Sequence, residues 1–576
     1  MNKKLKVKTH KKAKTERVYD YVSCASDLCR AIENRGDRVL FSSFTFDHRL
    51  CDITYAEFGK MIKSVAAGLT SLGYAGKRIA VIGETSPEWL CMYLAILSIG
   101  GVAIPMDREL APSEIEKFLD WVEADGISYA PSLENTMNKL RETTSRLSIY
   151  IPFAGDVKKY SVISFGKLCE IGAPSVEAGF DYPDFTGREN ELAEFLFTSG
   201  TTGSSKCVML SQKNIFSVAM SACETVDFNS EDTVVSVLPM HHTYELACTL
   251  AELAYGIHIC INDSLSHVIK NFKLFKPTGL VLVPLFVNTM YKKIWSEAKK
   301  NGKENILKLG IIASGTMKAA KIDIRRKVFA EVLEAFGGRL EKIICGGAAL
   351  DPIMIEAFEN FGISIYEGYG ITECAPLNAV TPYYARKYGS VGPSVPCCEM
   401  RIDPVGGSEN EYGYFGGEIQ VRGDNVMLGY YDNDDANADA FTEDGWFRTG
   451  DVGYLDDDGY LYITGRQKSV IVLENGKNVF PEEIEEYLSH IEQIAECVVV
   501  GRGEESGRIE LTAIVYPDMT KFPENTDEDT VRRSLEHSIG AMNKKLPSFK
   551  RVMRIELKNT EFEKTSAKKI KRHLVK

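Results

Sequence analysis

The chain has 576 residues, of which 44% are hydrophobic and 26% charged. This ordinary folded composition excludes a lone small binding module, a collagen-like repeat and a disordered polypeptide. Its 68 basic and 80 acidic residues give a net charge of −12, with the acid in the body and the Lys and Arg excess at the ends, so a continuous basic nucleic-acid surface is excluded.

Residues 1–14 hold seven Lys and no acid, which predicts a basic flexible arm over 1–20; attraction to anionic lipid is the less favoured reading. No apolar signal segment follows. The fourteen Cys include no C-x-x-C and no Cys/His cluster at zinc spacing, as expected of reduced thiols in a cytoplasmic protein with at most peripheral membrane contact. Trp89 to Met106 lacks charge over eighteen residues, near the length of a membrane span. Gly100-Gly101 and Pro105 divide it into a helix of about ten residues and a short strand, which favours a buried unit.

Strand and helix patterns alternate over about 50–380, predicting an α/β fold with parallel-type sheets. Candidate strands are Arg78–Ile82, Phe195–Phe197, Thr233–Leu238, Leu280–Val283 and Lys342–Cys345. In such sheets ligands bind beyond the carboxyl ends of strands. From about 381 short strands with Gly and Asp turns, such as Gly416–Val421 and Tyr460–Ile463, predict a small β subdomain over 381–466. A strand at Val470–Leu473, a Glu474-Asn475-Gly476 turn and a Pro481-started helix open a last α+β unit. The expected organisation is a large multi-subdomain N-terminal domain over 21–466 and a small mobile C-terminal domain over 467–576.

Thr198-Ser199-Gly200-Thr201-Thr202-Gly203-Ser204-Ser205-Lys206 follows a candidate strand and precedes a helix expected near Ser211. Six hydroxyls, two Gly and one Lys suit a phosphate cradle: glycines admit backbone N–H groups to the oxygens, and Lys adds a point charge. A flexible linker is the plainer reading of such a composition, but the apolar strand before it argues otherwise. The Gly spacing is not that of a Walker loop.

Further along stand Leu238-Pro239-Met240-His241-His242, Gly346-Gly347-Ala348-Ala349-Leu350 and Tyr366-Glu367-Gly368-Tyr369-Gly370-Ile371-Thr372-Glu373. Gly445-Trp446-Phe447-Arg448-Thr449-Gly450-Asp451, Gly465-Arg466-Gln467-Lys468 and Lys564-Thr565-Ser566-Ala567-Lys568-Lys569-Ile570 follow. With the phosphate loop these seven motifs, in this order, resemble those of the adenylate-forming superfamily, which includes acyl-CoA synthetases, luciferases and peptide-synthetase adenylation domains. The resemblance implies that a carboxylate attacks the α-phosphate of ATP, pyrophosphate leaves, and the acyl-adenylate passes to a thiol.

It also implies the site. ATP would be held by Thr198, Ser199, Gly200, Thr201, Thr202, Gly203 and Lys206. Tyr369 and the Gly347-Ala348 backbone would enclose adenine, with Gly370 beside them. Thr372 would donate to the α-phosphate, Glu373 would bind Mg²⁺, and Asp451 with Arg466 would hold the ribose. Lys569 would meet the charge developing at phosphorus; Lys568 stands where most members have Gly. Lys468 falls at the family's hinge, and Gly476 lies in a loop on the CoA side. Cys207 replaces a usual Gly and Ser469 a frequent acid. Asp456-Asp457-Asp458-Gly459 lacks the first acidic ligand of an EF-hand and reads as a hairpin turn.

His242 matches the family's acyl-pocket His, and no carboxylate stands at Pro239–His242 to hold a substrate ammonium. Val283–Val287 with Tyr291, Glu474–Val479 and the approach to Thr565 resemble long-chain fatty acyl-CoA synthetases. A medium- or long-chain fatty acid is therefore expected, with ATP, Mg²⁺ and CoA; the alternative acceptor is the thiol of an acyl carrier protein, or of another protein served by a fatty acyl-AMP ligase.

Overall fold

The computed structural model describes residues 8–9, 19–155, 161–198, 205–319, 323–404, 413–473, 478–503, 509–564 and 570–575. By internal contacts the chain forms two compact units, 1–400 with 421–447 and 401–420 with 448–576.

The first unit is α/β and holds two large sheets. One runs in the order Leu377–Val380, Ser364–Gly370, Lys342–Gly346, Gly279–Leu282, Thr233–Ser236, His258–Ile261, Val39–Phe44, Leu50–Thr54. Its interior pairs are parallel and its two outermost pairs antiparallel. The other runs Gly429–Tyr430, Lys206–Ser211, Leu192–Thr198, Val102–Met106, Arg78–Ile82, Gly126–Tyr129, Ile149–Pro152, parallel from Leu192–Thr198 onward. Each sheet packs an apolar cluster, the first around Phe272, Phe358 and Phe361 and the second around Ile104, Ile127 and Phe195.

Trp89–Met106 divides as its Gly pair and Pro predict, into a helix over Pro87–Ser98 and a strand over Val102–Met106. All of the helix but Glu88 is buried, which accounts for the missing charge without a membrane. Among the described residues no helix is long and apolar enough to cross a bilayer. All fourteen cysteines are free thiols. Lys8–Thr9 pairs antiparallel with Ala385–Arg386, a strand that the composition of the basic arm does not announce.

Two candidate strands are shorter than their apolar runs. The Thr233 strand stops at Ser236, opposite Ile261, where its parallel neighbour also ends. Val283 leaves the ladder to cap a helix that starts at Pro284, a residue suited to the first helical position.

In the second unit lies most of a four-stranded sheet, ordered Cys398–Asp403, Gly417–Gly423, Phe447–Leu455, Leu461–Arg466. Asp456–Gly459 forms its hairpin turn, in which Asp456 Oδ1 accepts from the amides of Asp458 and Tyr460, both at 3.0 Å. The strand expected at Val470–Leu473 reduces to Ile471–Val472, paired with Asn478–Val479. Beyond it, strands Ile494–Gly503, Ile509–Pro517 and Arg554–Leu557 share a core with helices Pro481–Ser489 and Glu528–Asn543.

Candidate active site

The phosphate-loop motif connects two strands of a hairpin. Leu192–Thr198 pairs antiparallel with Lys206–Ser211, Thr198 opposite Lys206. The helix expected near Ser211 begins at Gln212, but a full strand stands between it and the motif. Cys207-Val208-Met209-Leu210 lacks the polar alternation that would mark it as a strand, and its burial on both faces explains why. Thr198 and Lys206 are half-buried; Ser199, Gly200, Thr201, Thr202 and Gly203 lie outside the described residues. Cys207, the substituted Gly position, is buried, and burial pushes its thiol up to about 12, so it is an inert core group.

Helix Gln212–Thr225 is anchored by a reciprocal cap: Asn214 N donates to Ser211 Oγ at 3.1 Å and Ser211 N to Asn214 Oδ1 at 2.7 Å. Asn214 Nδ2 reaches further and donates to the carbonyls of Asp424 and Val426, at 2.9 and 2.8 Å. This fixes the segment leading to Tyr430, which pairs with Val208 of the Lys206 strand.

Tyr430 joins two of the expected site residues. Its hydroxyl donates to Glu373 Oε1 at 2.8 Å, and Lys206 Nζ lies 4.2 Å from its ring centroid. Burial, then the Glu373 charge, pushes the phenol well above its ordinary value, so it stays protonated and donates. Sequence reasoning missed this residue. Its strand is two residues long and has no period to detect; the only available sign is a Gly-Tyr-Tyr run between Leu428 and Asp432.

Gly347-Ala348 follow the carboxyl end of one strand and Tyr369-Gly370 form the carboxyl end of its parallel neighbour, with Gly346 opposite Gly368. Gly347 and Ala348 are exposed, whereas Tyr369 is buried. A Cβ on Gly370 would stand 1.8 Å from the carbonyl oxygen of Pro376, so only Gly fits beneath the turn carrying Thr372 and Glu373. Both of those side chains are half-buried. His242 is half-buried at the N-cap of helix Thr243–Tyr255, its ring centroid 4.3 Å from that of His241. His241 Nε2 lies 3.5 Å from Asp107 Oδ2.

In the second unit Asp451 and Arg466 face each other across two antiparallel strands, and Arg466 Nε meets Asp451 Oδ1 at 2.9 Å. Asp451 is buried and Arg466 exposed, so the arginine compensates a carboxylate that burial would otherwise penalise. Lys468 is exposed in a turn over Gln467–Ser469. Gly476 and Lys569 lie outside the described residues. On either side of the segment that carries Lys569, Lys564 bridges Ile570 antiparallel, Lys564 pairs with Glu496, and Arg572 pairs with Glu485.

Among the described residues no three His, Cys, Asp or Glu side chains are arranged to hold a metal ion by themselves. Glu373 offers one half-buried carboxylate, held by the phenol whose ring carries Lys206. That donor set fits Mg²⁺ carried on a polyphosphate, since Mg²⁺ takes one or two carboxylates and completes its shell with substrate oxygens and water.

The AMP-binding enzyme family matches residues 28–431, and the AMP-binding enzyme C-terminal domain matches 468–576. A relative named long-chain-fatty-acid–CoA ligase FadD15, from Mycobacterium bovis, is 30% identical over 467 residues, covering 78% of this chain and 75% of its own. The peroxisomal long chain acyl-CoA synthetase 6 of Arabidopsis thaliana is 27% identical over 511 residues, covering 84% and 71%. Among solved structures, the adenylation domain of a carboxylate reductase from Mycobacterium chelonae shares the fold with a TM-score of 0.78 at 20% identity, over 95% of this chain and 89% of that one.

Proposed function

Since this chain belongs to the AMP-binding enzyme family, we propose that it activates a medium- or long-chain fatty acid with ATP, releases pyrophosphate, and transfers the acyl group from the adenylate to the thiol of CoA. The observation that carries this reading is the Lys206–Tyr430–Glu373 constellation, where a cation and a hard oxygen ligand stand together at the mouth of the phosphate-loop hairpin. The long-chain names of the relatives support the fatty acid and CoA.

Each residue then has a task. Lys206 and the hairpin hydroxyls hold the polyphosphate, and Thr372 donates to the α-phosphate. Tyr369 stacks on adenine against the Gly347-Ala348 backbone, while Asp451 accepts from the ribose hydroxyls with Arg466 steadying it. Glu373 is the group that would hold Mg²⁺, which when bound neutralises phosphate charge. His242 orients the fatty carboxylate, so its oxygen meets phosphorus in line. Lys569 stabilises the charge that grows on the α-phosphate oxygens as pyrophosphate leaves. Lys468 is the hinge at the start of the C-terminal domain, with the boundary at 466–467, and Gly476 belongs to the CoA side. The free thiols support a cytoplasmic setting.

The test is pyrophosphate release over fatty acids of graded length, with and without CoA. Acid-dependent release and acyl-CoA formation are expected. Release that stops at acyl-adenylate with CoA present, and resumes with an acyl carrier protein, would overturn the assignment of CoA.

A further inference from the structure

The segment Met427–Tyr431 is laced to both halves of the phosphate site. Met427 N donates to the Glu373 carbonyl at 2.9 Å, Leu428 N to Met209 O at 2.9 Å, and Tyr431 N to Cys207 O at 2.8 Å. Tyr430 is itself pinned at the backbone: its N–H donates to Asn437 Oδ1 at 2.7 Å, and Asn437 Nδ2 donates to its carbonyl at 2.9 Å. Only 5% of Tyr430 is exposed, so ring and hydroxyl have little freedom. One rigid side chain thus bonds the Glu373 carboxylate through its edge and supports the Lys206 ammonium on its face.

A lysine and a glutamate converging on one site tend to pair, which would spend the charges that a polyphosphate and its metal require. Tyr430 gives each a neutral partner. With Oε1 tied to the phenol, the carboxylate is oriented before a ligand arrives, and less rotational freedom remains to be lost on binding. We propose that Tyr430 is a positioning residue, which holds Glu373 oriented towards the metal–triphosphate and Lys206 aimed at its phosphates. The inference rests on the reading of Glu373 and Lys206 given above.

Calorimetric titration of the full chain with ATP, without fatty acid, in EDTA and then in magnesium chloride, separates the two contacts. Y430F keeps the ring and deletes the donor. It is expected to bind metal-free ATP as the parent does, within twofold, and to lose about tenfold to 100-fold of the affinity gained with Mg²⁺, the scale of one hydrogen bond to a charged group. Y430L removes the ring and should also weaken metal-free ATP binding. In steady state Y430F should raise the Mg²⁺ and ATP concentrations needed while leaving kcat at saturation near the parent's. In an E373Q background Y430F should add no further loss. A Mg²⁺ gain in Y430F equal to the parent's, with E373Q reduced, would overturn the inference and spare the Glu373 assignment. An unchanged gain in E373Q as well would overturn both. Failure of Y430F to fold, or equal weakening in both titrations together with a lowered melting temperature, would make the phenol a structural group and also overturn it.

Discussion

Lys206 is the described cation of the phosphate hairpin, and its ammonium rests on a neutral ring. Lys206→Ala should raise the KM for ATP about 10- to 100-fold, the range of a lost charge-assisted bond, while the KM for fatty acid stays within twofold. Initial rates over both substrates check this; unchanged ATP kinetics would remove Lys206 from the phosphates. Glu194 makes a different point in the strand that pairs with that of Lys206. It is fully buried, and burial pushes its carboxyl up to about 8 from an ordinary 4.5. The folded state therefore holds the proton more tightly than the unfolded chain, and stability is fullest below about pH 4.5 and declines as pH rises to about 8. Glu194→Gln, neutral at every pH, should flatten this part of the profile and gain on the order of a few kcal/mol over the parent at pH 8, with little gain at pH 5. Denaturant midpoints at the two pH values decide it, and an equal effect at both would show that the glutamate ionises without penalty.

At the scale of elements, the cap of helix Gln212–Thr225 reaches beyond its own helix. Asn214→Ala removes half of the reciprocal cap and leaves the carbonyls of Asp424 and Val426 without its amide. A loss of about 2–4 kcal/mol in unfolding free energy is expected, larger than for Ser211→Ala, together with a weaker Mg²⁺ response because the segment bearing Tyr430 loosens. Denaturation of the two variants tests the order. The same region marks what a sequence discloses. Arg78–Ile82 and Lys342–Gly346 were legible because central parallel strands are continuous apolar runs bounded by turns. Lys206–Ser211 has a similar run but abuts a Ser/Thr/Gly stretch and a helix cap, so it merged with them. Gly429–Tyr430 exists only through pairing with a strand more than 200 positions earlier, and neither local propensity nor periodicity records that. Glu373, on the turn after Tyr369, and Lys206, at the end of the hairpin strand, stand in sequence motifs; the tyrosine that contacts both does not.

For the whole molecule, one active site must stabilise charge at phosphorus first and admit a thiol second, so the two half-reactions should respond to different residues. Lys569→Ala should lose acyl-adenylate formation by ~10²-fold or more yet still convert synthetic acyl-adenylate to thioester, because a lysine aimed at the developing charge has no part in the second step. Lys468→Pro, which fixes φ within the Gln467–Ser469 turn, should leave the first step near normal and slow the second. Single-turnover assays of each half-reaction decide this. A normal first step in Lys569→Ala would move the role to Lys568, and equal losses in both steps for both variants would refute a reorienting domain.

The phosphate motif closes a hairpin, and that makes it exchangeable. Its ends are fixed opposite each other, Thr198 across from Lys206, by a ladder that continues to Ser211. A transplanted sequence of the same length between those two positions would leave the register below them unaltered, since hairpin register follows the length of the connection and the buried face of the ladder. A nucleotide site of altered preference could be sought there by randomising a short cassette, with the sheet serving as a frame that does not need to be redesigned.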